Sequence, residues 1–472
     1  MKKIKVKALS VVLAAVFGLS FAGCGGKISV NIPEYNSQKK IDFIAYGSPT
    51  NPNWNGTAGN ADGLTLESYQ LLADGGFTQC QPLFEGYLRT GGSIEEQSAK
   101  AEEDAMKALA LCEQVGLKYC VRDWTFMGFI LKVDPEDYDS VLEKMFSEDN
   151  PYIHHPNYVG NNLHDEPTIQ QLEQMLPVVR KYKELVPNGE CFINLEPIYA
   201  NLYQLDENGD TTYKDYVKYY CDRFADLLGY VSYDYYPLYK SNYTDSYVKD
   251  TYLQNFEIVA REAKERDIEF RIYIQTSCAF PGSSRDAVGV QDYRFQIYTS
   301  MAFGVTSFMY YTYSQMNSNK PAIVDINCQP TYRYYAAKTV NNEVHAFENV
   351  YTSFKWDNYM VFEGDPMHPC EAFNYLEEPL ETHDRIKKVK VSQDTVIGTF
   401  KDAENRDGFM IVNYSDPYFD KIDDVTGTFN NAAALLMYRY GQKIVVPLNA
   451  DGSYTFKLEP GEGRFVIPLA KK

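Results

Sequence analysis

The chain of 472 residues carries 45 lysines and arginines against 64 aspartates and glutamates, a formal charge of −19 at neutral pH. Such acidity argues against nucleic acid and anionic lipid as partners, because both are bound through basic surface. The length is too great for one small domain and suits a (β/α)8 barrel, usually of about 250 residues or more, with an appended module.

In chain order, Lys2, Lys3, Lys5 and Lys7 precede an apolar run over 8–17, and Ala22-Gly23 lead into Cys24. Basic, apolar and small residues in that order predict a secretory signal peptide over 1–23, with 24–40 as a tether. Phe21-Ala22-Gly23-Cys24 resembles the lipobox of bacterial lipoproteins, with Phe21 standing where that motif prefers leucine. The resemblance implies cleavage before Cys24, lipid on its thiol, and a chain held outside the cytoplasm at the bacterial cell membrane. Secretion with an unmodified cysteine at the cut is the alternative. Beyond this leader no apolar run is long enough to span a bilayer. Without residues 1–23 there are 41 basic and 64 acidic residues, a net charge near −23, so lipid and not protein surface would hold the chain at the membrane.

Over 41–357 strand-like and helical segments alternate. Candidate strands are 41–47, 76–83, 117–125, 158–166, 191–199, 230–238, 270–276 and 305–313, which is the number that closes a barrel. Between them, apolar residues recur at three-and-four spacing, as in Ala101, Ala105, Ala108, Leu109 and Cys112, or Leu253, Phe256, Val259, Ala260 and Ala263. A parallel sheet needs such helical crossovers. An open doubly wound sheet would alternate too, but no Gly-x-Gly-x-x-Gly follows the first strand, and the loop over 48–63 is too long for a phosphate-binding turn. From Tyr359 the pattern changes to short strands over 396–400, 408–413, 434–440, 443–447, 454–458 and 463–468, separated by turn signals such as Arg406-Asp407-Gly408 and Pro460-Gly461. These predict a C-terminal antiparallel β-sandwich over 358–472.

Cys80, Cys112, Cys120, Cys191, Cys221, Cys278, Cys328 and Cys370 show no Cys-x-x-Cys spacing and read as free thiols, most of them buried. Asp206 to Asp210 opens like a calcium loop, but Thr211 and Val217 occupy the positions where glycine and glutamate belong, so a surface turn is expected. His154-His155 has no third ligand nearby, and no Gly-x-Ser-x-Gly elbow is present. Neither metal nor cofactor is expected.

The fourth candidate strand ends in His164-Asp165-Glu166-Pro167. Carboxylates at the C-terminal ends of strands are where a (β/α)8 barrel keeps its chemistry. Strand alternation puts Gly160, Asn162, His164 and Glu166 on one face and Val159, Leu163 and Asp165 on the other. Apolar residues should meet the helices, which sends Glu166 to the barrel mouth, although acids opening a helix are also favoured by its dipole. The same parity turns Glu196 and Asp234 inward, with Tyr236 beside Asp234. Strand seven ends inward in an amide, Gln275, while Tyr311 and Tyr313 on strand eight, Arg122 to Trp124 on strand three and Trp54 in the first loop join the candidates at the mouth. Paired carboxylates in an aromatic-lined cleft fit glycosidic bond cleavage, in which one acid protonates the leaving oxygen and the other attacks or activates water.

At these residues the chain resembles the clan of (β/α)8 glycoside hydrolases, especially the β-galactosidase-like barrels, whose acid/base glutamate follows strand four and often precedes proline, as Glu166-Pro167 does. The resemblance covers 41–354, and the Pro460 to Phe465 run resembles sugar-hydrolase accessory domains. It implies a carbohydrate substrate and Glu166 as acid/base. The clan's nucleophile is a glutamate ending strand seven, where this chain has Gln275, so the second carboxylate would be Asp234 or Glu196. Strands four and six are not neighbours, so pairing with Asp234 would leave a water-wide gap and favour inversion, whereas Glu196 would sit closer and suit retention; the two outcomes go with separations of ~6.5–9.5 Å and ~5–5.5 Å. Asp165-Glu166 and Ser232-Tyr233-Asp234 also resemble pairs in hexosaminidase-like and chitinase-like barrels, which implies substrate-assisted cleavage with Asp165 as a substrate-binding residue. A third reading is a glycan-binding surface lipoprotein without catalysis. Asn162 and His164 join the substrate-binding candidates by parity, and the oligomeric state is not given by the sequence.

Overall fold

A computed structural model describes residues 29–49, 62–83, 94–277, 283–315, 322–364, 367 and 369–472. Eight parallel strands form the barrel: β1 (Asp42–Tyr46), β2 (Gln79–Gln81), β3 (Lys118–Val121), β4 (Tyr158–Asp165), β5 (Glu190–Asn194), β6 (Tyr230–Asp234), β7 (Glu269–Gln275) and β8 (Ser307–Tyr311). Their order is β5-β4-β3-β2-β1-β8-β7-β6. A parallel bridge between Leu195 and Tyr233, with the Leu195 amide donating to the Ser232 carbonyl at 2.8 Å, joins the two ends and closes the ring. The interior is filled by side chains of alternate residues, among them Ile44, Tyr46, Phe192, Tyr230, Tyr273 and Met309, as in a packed barrel core.

The helices that matter here are α1 (Leu66–Asp74), α2 (Ile94–Val115), α3 (Tyr138–Met145), α4 (Ile169–Leu185), the single turn α5 (Leu202–Leu205), α6 (Tyr213–Leu228), α7 (Tyr252–Arg266), α8 (Val290–Ala302) and α9 (Tyr332–His345). α4 starts where the sequence dictates. Thr168 Oγ1 accepts from the Gln171 amide and Gln171 Oε1 accepts from the Thr168 amide, a reciprocal cap that fixes the chain two residues after Glu166.

The C-terminal module is antiparallel, with strands β9 (Phe354–Phe362), β10 (Ile386–Lys390), β11 (Thr395–Asp402), β12 (Asp407–Asn413), β13 (Asp423–Phe429), β14 (Ala434–Arg439), β15 (Gln442–Pro447), β16 (Ser453–Leu458) and β17 (Gly463–Leu469). A six-stranded sheet (β9-β11-β12-β17-β14-β15) faces a three-stranded one (β10-β13-β16) across a core that includes Met360, Phe409, Val425 and Phe456. β9 belongs wholly to this module, so the expected boundary at 357/358 falls inside a strand. β10 and β13 escape the sequence reading because their outer residues are polar; β10 is an edge strand carrying Lys387, Lys388 and Lys390, a charge pattern that discourages further pairing.

The module is seated on α8, which is buried on every face because it lies between barrel and sheet. A side chain at Gly398 would put its Cβ 2.1 Å from the Ala302 carbonyl oxygen, so only glycine allows this approach. The Trp356 indole donates to the same carbonyl at 3.0 Å. Cys80, Cys112, Cys120, Cys191 and Cys221 are buried free thiols; Cys328 and Cys370 are free and partly exposed, and Cys278 lies outside the described residues. Among the described residues no helix is long and apolar enough to cross a membrane.

Candidate active site

The end of β4 decides which acids meet. Asn162 pairs with Phe192, His164 with Ile193 and Asp165 with Asn194, so one extra residue is inserted between Asn162 and His164. Such a bulge reverses the parity of everything after it. Asn162 points inward, its carbonyl accepting from Gln81 at 2.6 Å. His164 turns outward beside Gln171 of α4, where burial lowers its pKa, so it leaves the set of mouth residues. Asp165 turns inward, 3.7 Å from the buried guanidinium of Arg122 and accepting from Asn194 Nδ2 at 3.3 Å. The simple alternation placed these two residues the other way round.

Glu166 reaches the mouth by a different route. Its backbone is left-handed, φ 52°, and its amide donates to the Asn194 carbonyl at 2.9 Å, which folds the residue back over the barrel before Pro167 leads into α4. A non-glycine residue in that region is strained by about 1–3 kcal/mol, and such strain gathers at functional sites. The Glu166 and Asp234 carboxyls come near enough for each to act on the other's proton affinity. Asp234 is 5% exposed and accepts from Asn194 Nδ2 at 3.0 Å. Glu196, also 5% exposed, accepts from Gln204 Nε2 of α5 at 3.0 Å. Its backbone amide donates to the Tyr216 hydroxyl at 3.3 Å, and that hydroxyl donates to the Pro167 carbonyl at 2.7 Å, tying the Glu166 turn to the end of β5.

Crowding these acids raises their proton affinity. Burial, then the charge of Asp165, pushes Glu166 up to about 7, against which its interaction with the Asp234 carboxyl works. Burial, then the charge of Glu166, pushes Glu196 up to about 8. Asp234 is raised well above the ordinary carboxylate range by burial and then by Glu166, Asp165 and Glu196. The cluster therefore holds protons near neutrality, the state a general acid requires. Below it lies a floor of rings: Tyr311 stacks on Tyr46 at 5.7 Å and meets Tyr236 at 5.0 Å, and the Tyr46 hydroxyl accepts from Arg122 at 2.5 Å.

Three further expected residues stand elsewhere. Gln275 is fully buried, and its amide is spent on backbone: it donates to the carbonyls of Leu238 at 3.2 Å and Arg285 at 2.5 Å and accepts from the Leu238 amide at 2.9 Å. It holds the loops after β6 and β7 and offers nothing to a ligand. Tyr313 packs edge-on against Phe77 on the helix side of the barrel. Trp124 lies under the Lys132 ammonium and lines a separate cavity of about 740 Å³ bordered by α2 and α3. Trp54 and Cys24 lie outside the described residues. Sequence reasoning placed Arg122 at the mouth but left Asn194 out of the candidate site residues. Asn194 shares parity with Glu196, but an amide deep in a strand carries no motif. Among the described residues no cluster of three or more metal-ligating side chains is present.

No protein-family model and no curated protein sequence matches the chain. Among solved structures, a glycoside hydrolase is similar over 95% of this chain and 97% of its own, at 12% identity and a TM-score of 0.53. A glycoside hydrolase family 5 protein from Bacteroides vulgatus ATCC 8482 is similar over 91% of this chain and 89% of its own, at 11% identity and a TM-score of 0.54. A β-galactosidase from the psychrophilic Marinomonas ef1 aligns with 65% of the chain, which spans 60% of that protein's length, at 10% identity and a TM-score of 0.45, a likeness too slight to carry an argument. The first two likenesses show the fold: a (β/α)8 barrel with a C-terminal β module, an architecture that solved glycoside hydrolases share.

Proposed function

We propose that the chain is a glycoside hydrolase that cleaves a glycosidic bond in an oligo- or polysaccharide, with Glu166 as general acid/base and Asp234 as the second carboxylate. The observation that carries this reading is the convergence of those two carboxyls at the barrel mouth, near enough for each to act on the other's proton, beside stacked tyrosines. Glu166 gives its proton to the leaving oxygen as the carbon–oxygen bond breaks, and an oxygen of Asp234 bonds to the anomeric carbon. Water, deprotonated by Glu166, then displaces Asp234 and restores both acids. Retention goes with carboxyl separations of ~5–5.5 Å and inversion with ~6.5–9.5 Å, and the strong influence of each acid on the other's proton favours the shorter. Glu196 and Asn194 orient substrate and charge around them. That two solved glycoside hydrolases share the fold supports the reading.

Replacing Glu166 by Gln tests it. Turnover of aryl-glycosides with poor leaving groups should fall by ~10²–10⁴-fold with the fold unchanged. Wild-type-like turnover would sink the assignment, and the anomer released, read by NMR, separates retention from inversion.

One observation favours a second reading, substrate-assisted cleavage: the bulge in β4 puts Asp165 and Glu166 both at the mouth, where an acetamido group could be oriented by Asp165. Activity confined to N-acetylated sugars would select it. We place the chain at the outer face of the membrane through lipid on Cys24, on the strength of the lipobox-like leader; Cys24→Ala should release it to the medium or stall its processing.

A further inference from the structure

A crevice of about 690 Å³ separates the barrel from the C-terminal module, on the side reached by the chain leaving β6. Its barrel wall is 246–250, carried by the hairpin in which Tyr247 and Val248 pair with Tyr239 and Leu238, four residues beyond Asp234. The opposite wall comes from the module and includes Glu371, Gln393, Asp394 and Phe419. The crevice therefore opens near the same end of the barrel as the carboxylate cluster.

Two features set it apart from an ordinary domain seam. The first is a concentration of exposed rings: Tyr247 and Phe419 line it, Tyr418 packs against Phe419 at 5.3 Å, and Tyr375 stands near Asp250 at its edge. The second is a rigid polar base. Arg285 Nε donates to Ser246 Oγ at 2.7 Å, its Nη2 donates to Asp292 at 2.8 Å and Asp416 at 3.4 Å, and Ser246 Oγ donates to Asp416 at 2.7 Å. These charges are largely buried, so barrel loop and module are clamped in one arrangement and the walls are preorganised.

Flat rings beside carboxylates and an amide complement a ligand that has apolar faces and a rim of hydroxyl groups. Lys249 and Lys421 also line the crevice, but the four carboxylates of Asp250, Glu371, Asp394 and Asp416 outnumber them, and with a chain charge of −19 this disfavours phosphate or anionic lipid. A purely apolar partner would strip water from Glu371 and Gln393. We infer that this crevice is a second, non-catalytic carbohydrate-binding site that holds part of a polysaccharide while the barrel mouth cuts another part. The inference rests on the proposed hydrolase reading for its ligand class, but it involves none of the residues that do the chemistry.

The test is affinity electrophoresis of the full mature chain in native gels containing galactan, arabinoxylan, galactomannan or mixed-linkage β-glucan, with Glu166→Gln in the background so that the glycan persists. At least one glycan should retard the protein, and Phe419→Ala with Glu371→Ala should weaken the Kd at least tenfold at an unchanged melting temperature. In the active background the same pair should leave kcat/KM on small aryl-glycosides unaltered while raising KM on the retarding polysaccharide. No retardation by any of the four, or equal retardation of the double variant, overturns the site. Crevice-dependent retardation without hydrolysis of any glycoside would leave the site standing and remove the hydrolase.

Discussion

Asn194, at the end of β5, donates its amide nitrogen to Asp234 of β6 at 3.0 Å. The same nitrogen lies 3.3 Å from Asp165, and the amide oxygen accepts from Ser232 at 2.9 Å, which fixes the orientation of the group. One neutral side chain thus joins three successive strands at the mouth. A donor aimed at a carboxylate favours its charged form, and here it opposes the burial and neighbouring acids that raise Asp234.

Asn194→Ala should therefore make Asp234 harder to ionise. On the proposed retaining course Asp234 attacks in its ionised form, so the acidic limb of the activity profile should move to higher pH. Hydrogen bonds to charged groups are worth about 1.5–3 kcal/mol, which is roughly ten- to a hundredfold in kcat, with little change in KM. An unshifted acidic limb in the pH profile of the variant would argue that Asn194 only packs.

Glu196 should make the protein less stable as the medium becomes alkaline. Its folded pKa, about 8, lies above the ordinary value of 4.5, so between those values the folded state keeps a proton that the unfolded state has lost. Stability is full below 4.5, declines as pH rises toward 8, and levels off beyond, because the unfolded chain binds fewer protons in that window. Melting temperatures measured from pH 5 to 9 should fall, and Glu196→Gln should flatten the fall. Equal slopes for the two proteins would show that Glu196 ionises as freely folded as unfolded.

The reversal at β4 gives a paired prediction. Asp165→Asn removes a carboxylate that faces Arg122 and the mouth and should lower kcat about tenfold or more, in line with the loss of a charge-assisted contact. His164→Ala alters a side chain on the helix side and should change kcat less than about twofold, since substitutions away from the chemistry are usually small in effect. The opposite ranking in steady-state kinetics would restore the uninterrupted alternation.

What the sequence conveyed and what it withheld divide along physical lines. Barrel strands are buried on both faces and separated by amphipathic helices, and that rhythm survives in residue order; so does the position of Glu166, Glu196 and Asp234 at strand ends. Alternation is a local rule, so it failed where one extra residue entered at Leu163, since nothing about leucine signals a bulge. The left-handed turn at Glu166 was equally silent, and by chance it undid the error for that residue. Gln275 read as a mouth residue by parity. Its burial depends on Leu238 and Arg285, which only the closed barrel brings to it. β10 and β13 were missed because their exposed faces are charged or polar.

Gln275 also supplies the sharpest contrast between family resemblance and structure. A glutamate in its place would restore the strand-seven acid of the barrels that the chain resembles. The structure argues that it would not restore a nucleophile. The Gln275 amide nitrogen donates to two backbone carbonyls, and a carboxylate there would set acceptor against acceptor in a site that is 0% exposed. Unsatisfied buried polar groups cost about 1–3 kcal/mol each, and more when charged, so Gln275→Glu should destabilise the protein by at least about 2 kcal/mol in urea unfolding. Its activity on any glycoside should not exceed that of wild type, because the side chain remains committed to the loops after β6 and β7. A stable Gln275→Glu protein with raised turnover would mean that strand seven, and not Asp234, is where this barrel's second carboxylate belongs.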